Sequence, residues 1–424
     1  MRLKLLAILF ALFGFLSQKA IARDFAAKDI MNEIMRFNKS VIETQPEYFN
    51  GKIHRMSGGT FEFMRGSAHL MNLDLQKSGE LAFLRTSPVG LAAGDLHMHN
   101  FSVFAPPGET AGYVIDDLDE ACADVPLSYD VFRLAVSIII GFKEVLQRDE
   151  LEQALQSLIQ GYQDRAASDG APGVSQALPK LVKDFITDEI TTTQKKFIKK
   201  KTMALTANRF DYDKHLPVPE NEKALVEKAM RDYLNKIVTK KEIPLTATEI
   251  LDISQRYDKG LSSIGLKRYF VLIRGNGQDW RDNQILEAKV VRNSSLRANS
   301  NEEQHADTLE AMSRAHLSPD PFLGYLNVGS DTFLVRQNFP WSETMENTSL
   351  TDAKKINELA RALGLITADF HSASGKGKEM KVWLEKHLEQ FISWAFIYGK
   401  QLQADHEALQ KFCSQDKFEK QGDL

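Results

Sequence analysis

Two short clusters of polar residues contain side chains that proteins use to bind metal ions and to move protons. The first, residues 94–100, reads Gly-Asp-Leu-His-Met-His-Asn, and the second, residues 116–120, reads Asp-Asp-Leu-Asp-Glu. Asp95 could orient a hydroxyl group or take its proton, and Asn100 and Asp117 could hold one divalent metal ion between them. This combination indicates phosphoryl-transfer chemistry. Each cluster follows an apolar run typical of a strand, so both would lie on loops held by a sheet.

Three features further along the chain would complete a nucleotide site. Gly260 and Gly265 bracket a turn before a predicted strand, Lys289 lies in a later strand, and Glu310 lies in the helix after it. A glycine turn lets backbone N–H groups approach phosphate, and a strand lysine positioned by a helix carboxylate neutralises phosphate charge. Taken singly, each feature is more often structural.

The spacing of apolar residues predicts the elements that position these groups. A helical period predicts helices over residues 25–48, 129–167, 301–317, 351–370 and 381–418, and a mainly helical segment over 178–257 with an interruption near 216–219. Alternating apolar residues predict strands over residues 89–93, 101–104, 113–115, 268–273, 285–291 and 332–337. Pro106-Pro107-Gly108 predicts a hairpin turn between the second and third strands. The expected fold class is therefore α+β.

The N-terminus has the layout of a secretory signal peptide. It begins Met1-Arg2-Leu3-Lys4, continues through an apolar stretch over residues 5–16, and ends in Ala20-Ile21-Ala22. The apolar stretch is too short to span a bilayer. We therefore expect residues 1–22 to be removed, the chain to be periplasmic or secreted, and the mature chain to have no stable membrane span.

Net charge and composition limit the kinds of molecule that the protein could bind and the kind of fold that it could form. Loss of Arg2, Lys4 and Lys19 from the 53 basic residues leaves 50 against 57 acidic ones, a net charge near -7, which argues against nucleic acid. The full chain has 43% hydrophobic residues, so the mature chain can bury a large core, and its length favours two lobes or domains. Cys122 and Cys413, the only two cysteines, allow one disulfide bridge or two free thiols.

Several runs resemble the uncharacterised family called domain of unknown function 2252. The resemblance covers most of the mature chain. It is carried by residues 63–68 (Phe-Met-Arg-Gly-Ser-Ala), 94–101, 115–121, 129–135, 322–325, 335–337 and 368–372 (Ala-Asp-Phe-His-Ser). No reaction is agreed for this family, so the resemblance to it does not imply an activity.

These motifs are in turn similar to those of aminoglycoside-phosphotransferase-like kinases. In those enzymes a Gly-Asp-x-His-x-x-Asn loop supplies the catalytic aspartate and a metal-binding asparagine. A later hydrophobic-Asp-hydrophobic segment supplies the second metal ligand, and a further aspartate opens a buried helix. By this resemblance the roles fall on Asp95, Asn100, Asp117 and Asp130. A glycine turn, a strand lysine and a helix glutamate, in this order, are found in a kinase small lobe.

One departure from the kinase pattern is large, because the candidate small lobe follows the catalytic loop instead of preceding it. The resemblance therefore implies a two-lobed, protein-kinase-like fold that is circularly permuted and carries a helical insertion. We expect residues 23–250 to form a large-lobe part with the helical subdomain, residues 251–345 a small-lobe part that binds nucleotide, and residues 346–424 helices that complete the large lobe. Permutation is tolerated when the original termini lie close together at the surface.

The expected activity is transfer of a phosphoryl group from ATP or another nucleoside triphosphate, with Mg²⁺ or Mn²⁺, to a hydroxyl group of an unidentified acceptor. Nucleotidyl transfer would need the same groups. A metal-dependent hydrolase using His97, His99 and the acidic cluster is the main alternative, and a non-catalytic nucleotide-binding protein is another. In the kinase-like interpretation His97 orients its loop. Asp119 could bind a second ion or raise the local negative potential, and Arg65 could contact phosphate or pair with a structural carboxylate.

Overall fold

The computed structural model describes residues 27–104, 111–167, 177–190, 194–202, 208–241, 245–275, 277, 279–297, 300–315, 320–340 and 343–415. The predicted leader and the predicted turn at Pro106-Pro107-Gly108 lie outside these residues. The chain folds as α+β, as predicted.

Helices form most of the described chain. They are α1 (Ala27–Phe37), α2 (Lys39–Thr44), α3 (Pro46–Ser57), α4 (Thr60–Gly66), α5 (Ala68–Lys77), α6 (Ser128–Phe142), α7 (Arg148–Ala166), α8 (Lys180–Glu189), α9 (Gln194–Lys201), α10 (Glu220–Lys241), α11 (Asn301–Ala315), α12 (Ala353–Ser372) and α13 (Gly377–Gln415). The main core lies among α6, α7, α12 and α13, with α1, α3 and α4 packed against α13. Nearly every residue of α6 is buried, because its β-branched and aromatic residues make it apolar on all sides.

Two nested antiparallel hairpins precede α6. Their strands are β1 (Val89–Ala92), β2 (Phe101–Phe104), β3 (Gly112–Ile115) and β4 (Cys122–Pro126). β2 pairs with β3, and β1 pairs with β4 outside them. The loop from β1 to β2 (residues 93–100, the Asp95 loop) and the loop from β3 to β4 (residues 116–121, the Asp117 loop) therefore meet where the two hairpins join.

A six-stranded antiparallel sheet forms the second structural unit. Its strands are β5 (Leu216–Pro217), β6 (Ile250–Gln255), β7 (Arg268–Ile273), β8 (Gln284–Val290), β9 (Gly324–Val328) and β10 (Asp331–Gln337), in the spatial order β5-β6-β7-β8-β10-β9. Helix α11 connects β8 to β9, and α10 packs on β9 and β6. The strands predicted around Lys289 and after Glu310 are thus confirmed.

The mainly helical interpretation of residues 178–257 is wrong at its end. Ile250–Gln255 forms β6, which pairs residue by residue with β7, and the short β5 adds to its free edge. A strand forms there because its partner is supplied from later in the chain, and such long-range pairing overrides the local helical pattern.

Two further expectations concern membrane-spanning helices and a disulfide bond. None of the helices within the described residues is long and apolar enough to cross a membrane. Cys122, which is buried in β4, and Cys413 in α13 are not joined by a disulfide bond.

Candidate active site

A cleft opens where the two loops face the six-stranded sheet. It holds about 520 Å³ of empty space, including the part that is open to solvent. Its polar lining comes from the Asp95 loop (Asp95), the Asp117 loop (Asp117, Asp119 and Glu120), the turn before β7 (Ser262 and Ser263), β8 (Lys289), the segment after β8 (Arg292) and α11 (Thr308). Segments far apart in the sequence therefore meet in one cleft.

The Asp95 loop is held by the first turn of α6. The Asp130 carboxylate accepts hydrogen bonds from the backbone N–H groups of Ala93 (2.6 Å) and Gly94 (2.9 Å). Within the loop, Nδ2 of Asn100 donates to the Asp95 carbonyl oxygen at 2.6 Å. These bonds satisfy buried backbone groups, so the Asp95 carboxyl projects from a rigid support.

Asp130 itself belongs to a buried chain of hydrogen bonds. Its Oδ2 lies 3.0 Å from Nε2 of His371, and Nδ1 of that ring lies 2.9 Å from the Tyr162 hydroxyl. Burial raises the pKa of Tyr162 well above its usual value, and Asp130 adds to this effect, so the phenol keeps its proton. The chain joins α6, α7 and α12 beneath the Asp95 loop. Asp130 is thus a positioning residue in the first turn of the buried helix α6.

The Asp95 carboxylate is paired with a buried arginine. Nε of Arg133 donates to Asp95 Oδ1 at 2.7 Å, and Nη2 donates to the same oxygen. Burial raises the pKa of Asp95 to about 6, although Arg133 acts to lower it. A carboxyl with this pKa is mostly ionised at neutral pH. Its pKa is also close enough to 7 for the group to take up a proton during a reaction. Arg133 lies three residues after Asp130 on α6, and this helical spacing is a signal that sequence reasoning overlooked.

The inner hairpin brings the two predicted metal ligands to one place. Its register pairs Phe101 with Ile115, and one step further the Asp116 N–H donates to the Asn100 carbonyl oxygen at 2.9 Å. Asn100 and Asp117 therefore adjoin at the end of the hairpin. Because Nδ2 of Asn100 donates to the loop backbone, Oδ1 is the side-chain atom of Asn100 that could contact an ion. A carboxylate and an amide oxygen are a donor set that suits Mg²⁺ or Mn²⁺.

Charges from the sheet keep Asp117 ionised. Burial acts to raise the pKa of its carboxyl, but Lys289, Arg336 and Arg268 outweigh burial and hold the pKa below its usual value. Asp117 is therefore negatively charged at neutral pH, the state that a divalent cation requires.

Lys289 reaches the cleft but does not have its predicted partner. It forms an ion pair with Asp119, whereas Glu310 pairs with Arg314 on its own helix. The predicted Lys289–Glu310 pair is therefore wrong. Helix α11 presents Thr308 to the cleft, and two further residues turn the helix by roughly 200°, which puts Glu310 on the outer face.

Asp119 thus acts as the carboxylate that positions Lys289. Burial lowers the pKa of Lys289, and the charge of Asp117 opposes this effect. The lysine is enclosed between the strand and the Asp117 loop, where a phosphate group would meet it with little competing water.

The glycine turn between Gly260 and Gly265 closes one side of the cleft. Both glycines have left-handed backbone, with φ of +67° and +84°. Ser262 and Ser263 line the cleft, and Nζ of Lys52 donates to the Ser262 carbonyl oxygen at 2.9 Å. The glycines therefore shape the turn, while the serines between them face the cleft.

Lys52 was not found by sequence reasoning. It is fully buried on α3, where Nζ also donates to Oδ1 of Asn38 at 2.9 Å, and burial lowers its pKa to about 7. In the sequence it is an ordinary lysine of an amphipathic helix, so no local signal marks it.

Arginines tie the sheet to the Asp117 loop. Nε of Arg336 donates to Glu287 at 2.9 Å, and its Nη1 donates to Asp116 at 3.1 Å. Nη1 of Arg268 donates to the same Glu287 at 2.6 Å. This network fixes the distance between the strand that carries Lys289 and the loop that carries Asp117.

The two histidines after Asp95 point to different partners. Nδ1 of His97 accepts the His99 N–H at 3.2 Å, while Nε2 of His99 lies 3.0 Å from Oδ1 of Asn347. Burial lowers the pKa of both rings, that of His99 to about 4. His97 thus orders the turn that leads to Asn100. Within the described residues, no group of three or more His, Cys, Asp and Glu side chains is arranged to hold a metal ion.

Arg65 lies at the other side of the Asp95 loop. It projects from α4, its Cζ is 6.0 Å from the centre of the Phe61 ring, and its Nε is buried without a hydrogen-bond partner in the described part of the chain. The predicted pairing of Arg65 with a structural carboxylate is not found within the described residues.

Comparison with known proteins identifies one family. The sequence model of a family described as "Uncharacterized protein conserved in bacteria (DUF2252)" matches residues 44–412. Neither the curated proteins nor the solved structures contain a match.

Proposed function

The chain belongs to the DUF2252 family of uncharacterised bacterial proteins, and on this premise we propose that it is a phosphotransferase of kinase-like design. It would bind a nucleoside triphosphate and Mg²⁺ or Mn²⁺ in the cleft and transfer the terminal phosphoryl group to a hydroxyl group of an acceptor. The family membership supplies no reaction, so the proposal depends on the geometry of the cleft.

The observation that carries the proposal is the meeting of four groups in one cleft. Asp95 and Asp117 come from the nested hairpins, Lys289 comes from the middle of the sheet, and Ser262 and Ser263 come from the glycine turn. Kinases use an aspartate for the acceptor hydroxyl, an aspartate and an asparagine for metal ions, a strand lysine for the phosphates and a glycine-rich loop to cover them. Each of these roles except that of the asparagine has a candidate in the cleft lining, and Asn100 ends the loop that carries Asp95.

A second observation supports a permuted arrangement. In a kinase-like chain, the helix that corresponds to α12 would lead directly into β1 and the Asp95 loop. Here α12 follows the sheet, yet its end returns to β1, because the Leu91 N–H donates to Oγ of Ser374 at 3.4 Å. His371, three residues earlier, contacts Asp130 under the same loop. A kinase-like order of elements in space is thus compatible with the altered order in sequence.

The transfer step can be written from these residues. The acceptor oxygen bonds to the terminal phosphorus, the bond from that phosphorus to its bridging oxygen breaks, and the nucleoside diphosphate leaves with the electron pair. The hydroxyl proton passes to Asp95, which Arg133 holds in place. Asn100 and Asp117 would hold a divalent ion, which supplies positive charge at the phosphates. Lys289 adds a second positive charge from the sheet.

Ligand-dependent thermal stability tests this proposal. Protein comprising residues 23–424 should be stabilised by ATP with Mg²⁺, by about 2.7 kcal/mol when the free ligand exceeds its Kd about 100-fold. Asp117→Asn should remove this stabilisation, because it removes the charge that holds the ion. Asp331→Asn makes the same change at a partly exposed site on β10 and should leave it intact.

Other outcomes identify the alternatives. Release of nucleoside diphosphate indicates phosphoryl transfer, whereas release of pyrophosphate indicates nucleotidyl transfer. Stabilisation by Zn²⁺ alone, lost in His97→Ala and His99→Ala, would favour a hydrolase. Stabilisation by ATP without turnover in any acceptor screen would favour a non-catalytic binding protein, and no stabilisation by any nucleotide would contradict the proposal. Export remains a proposal based on the sequence of residues 1–22.

A further inference from the structure

Arg65 is a cation without an anionic partner in the part of the chain that the structure describes. Its Nε is shielded from water without a hydrogen-bond acceptor, and no carboxylate of those residues contacts its guanidinium. Two other arginines near the proposed site do have carboxylate partners. Arg133 is paired with Asp95, and Arg336 with Glu287 and Asp116. Because an unpaired buried donor costs stability, a group of this kind points to a ligand that is bound during function.

The backbone beside Arg65 is linked to the proposed catalytic aspartate. Nη2 of Arg133, the arginine that holds Asp95, also donates to the Met64 carbonyl oxygen at 3.0 Å. The residue before Arg65 is therefore tied to the same guanidinium as the Asp95 carboxylate.

Aromatic contacts place Arg65 on one side of the Asp95 loop. The Phe61 ring, over which Arg65 lies, is 4.7 Å from the His99 ring and 6.2 Å from the His97 ring between centroids. Both histidines follow Asp95 in its loop. Arg65 thus lies beside the part of the Asp95 loop that carries His97 and His99.

Arg65 lies outside the lining of the cleft, which holds Asp95, Lys289 and the glycine turn. After burial, Arg65 has the largest effect in lowering the pKa of His97 and His99, whereas for Asp117 its effect follows those of Lys289 and two sheet arginines. The charge of Arg65 therefore acts chiefly on His97 and His99, and it is not among the main influences on the pKa of Asp95.

We propose that Arg65 binds an anionic group of the acceptor, so that the substrate is a hydroxyl compound carrying a carboxylate or a phosphate. The planar guanidinium matches both groups through two parallel N–H donors. The inference rests on the proposed function, since it takes Asp95 as the residue that receives the acceptor hydroxyl.

The test uses simple probes on protein whose nucleotide side is already filled. Protein saturated with Mg²⁺ and a non-hydrolysable ATP analogue is titrated with inorganic phosphate, glycerate or glycerol, and its melting temperature is followed. The two anions, but not neutral glycerol, should stabilise the wild-type protein. Arg65→Gln should bind the anions about tenfold more weakly or worse, as expected for loss of a charge-assisted hydrogen bond.

Two further variants make the result decisive. Arg231→Gln removes the same charge from an exposed site on α10 and should behave as wild type. Arg65→Lys keeps the charge without the planar fork, so it should bind the anions with intermediate affinity, and it decides the matter if Arg65→Gln does not fold.

Several outcomes would overturn the inference. These are an equal response in Arg65→Gln and wild type, an equal response to glycerol and the anions, or no response of the wild type to either anion. Anion stabilisation seen only without the analogue would assign Arg65 to the terminal phosphoryl group instead. If the ATP analogue does not bind, this result counts against the proposed function. The Arg65-dependent response to anions is also measured in protein without the analogue, so the two proposals can fail separately.

Discussion

At Asp95, burial and charge act on the same carboxyl in opposite directions. The side chain is removed from water at the base of the cleft, which favours its neutral form, while Arg133 favours the charged form. The balance puts its pKa at about 6, above the ordinary value of 3.8. In a carboxylate with a purely structural role, we would expect a positive partner to balance the negative charge fully. At Asp95, Arg133 offsets only part of the effect of burial. Partial compensation is what a proton acceptor needs, because the group must be able to hold a proton during the reaction.

This balance predicts how stability depends on pH. A carboxyl whose pKa is raised in the folded protein stabilises the fold below its unfolded pKa, and the stabilisation is lost as pH rises through the folded value. The free energy of unfolding of wild type minus that of Asp95→Asn should therefore fall by about 3 kcal/mol between about pH 3.5 and about pH 7, as the two pKa values imply. Urea denaturation at both pH values measures it.

The control for this measurement is Asp331→Asn. It makes the same chemical change at a partly exposed ion pair with Lys267, where water screens the charge. Its difference from wild type should change much less with pH. A pH-independent difference for Asp95→Asn would mean that burial does not act on Asp95 as described.

At the scale of elements, the nested hairpins depend on close approach of their two loops. Gly94 has φ of +84°, and a Cβ at this position would lie 2.1 Å from the Glu120 carbonyl oxygen. The contact is with backbone, which cannot move aside as a flexible side chain would. The glycine therefore allows the Asp95 loop to lie against the Asp117 loop, and this contact sets the spacing of the proposed metal ligands.

Gly94→Ala should consequently cost more than a change of backbone preference alone. A left-handed backbone at a non-glycine residue costs about 1–2 kcal/mol, and overpacking adds about 1–3 kcal/mol. Gly329 provides the matched comparison, because its φ is +62° and no atom of the described residues lies within 4 Å of the position that a Cβ would occupy. Gly329→Ala should lose only the first amount, and Gly94→Ala about 2–5 kcal/mol in all, as measured by urea denaturation. Equal losses in the two variants would show that the loops separate without cost.

The elements also show what sequence reasoning can reach. The hairpin strands and the two loops were predictable, because each strand is a short apolar run that ends at a polar cluster, a local pattern. β6 was missed because its identity depends on pairing with β7, a contact between distant segments. The partner of Lys289 was missed for a related reason. Order along the chain puts Glu310 on the right helix, but packing decides which face of α11 turns to the cleft.

At the scale of the whole molecule, the site exists only where two structural units meet. The helical body holds the Asp95 and Asp117 loops, the sheet holds Lys289 and the glycine turn, and the Arg336 network joins them. The N-terminal helices add a third link through Lys52, which reaches the glycine turn from α3. The early loops therefore meet a unit encoded much later in the chain. Lys52 shows why the full boundary of the site was not predictable, since nothing near it in the sequence refers to the turn it contacts.

A ligand in such a cleft should protect several distant segments of the chain at once. With Mg²⁺ and a non-hydrolysable ATP analogue, amide hydrogen exchange should slow together in residues 93–100, 116–121, 258–266 and 284–292, because binding stabilises the closed arrangement against local opening. Asp117→Asn should abolish protection in all four segments. The outer strand β9 lies at the far edge of the same sheet and should exchange at an unchanged rate. Protection confined to the sheet, or to the loops alone, would mean that the ligand does not bridge the two units, and the shared cleft would then not be the nucleotide site.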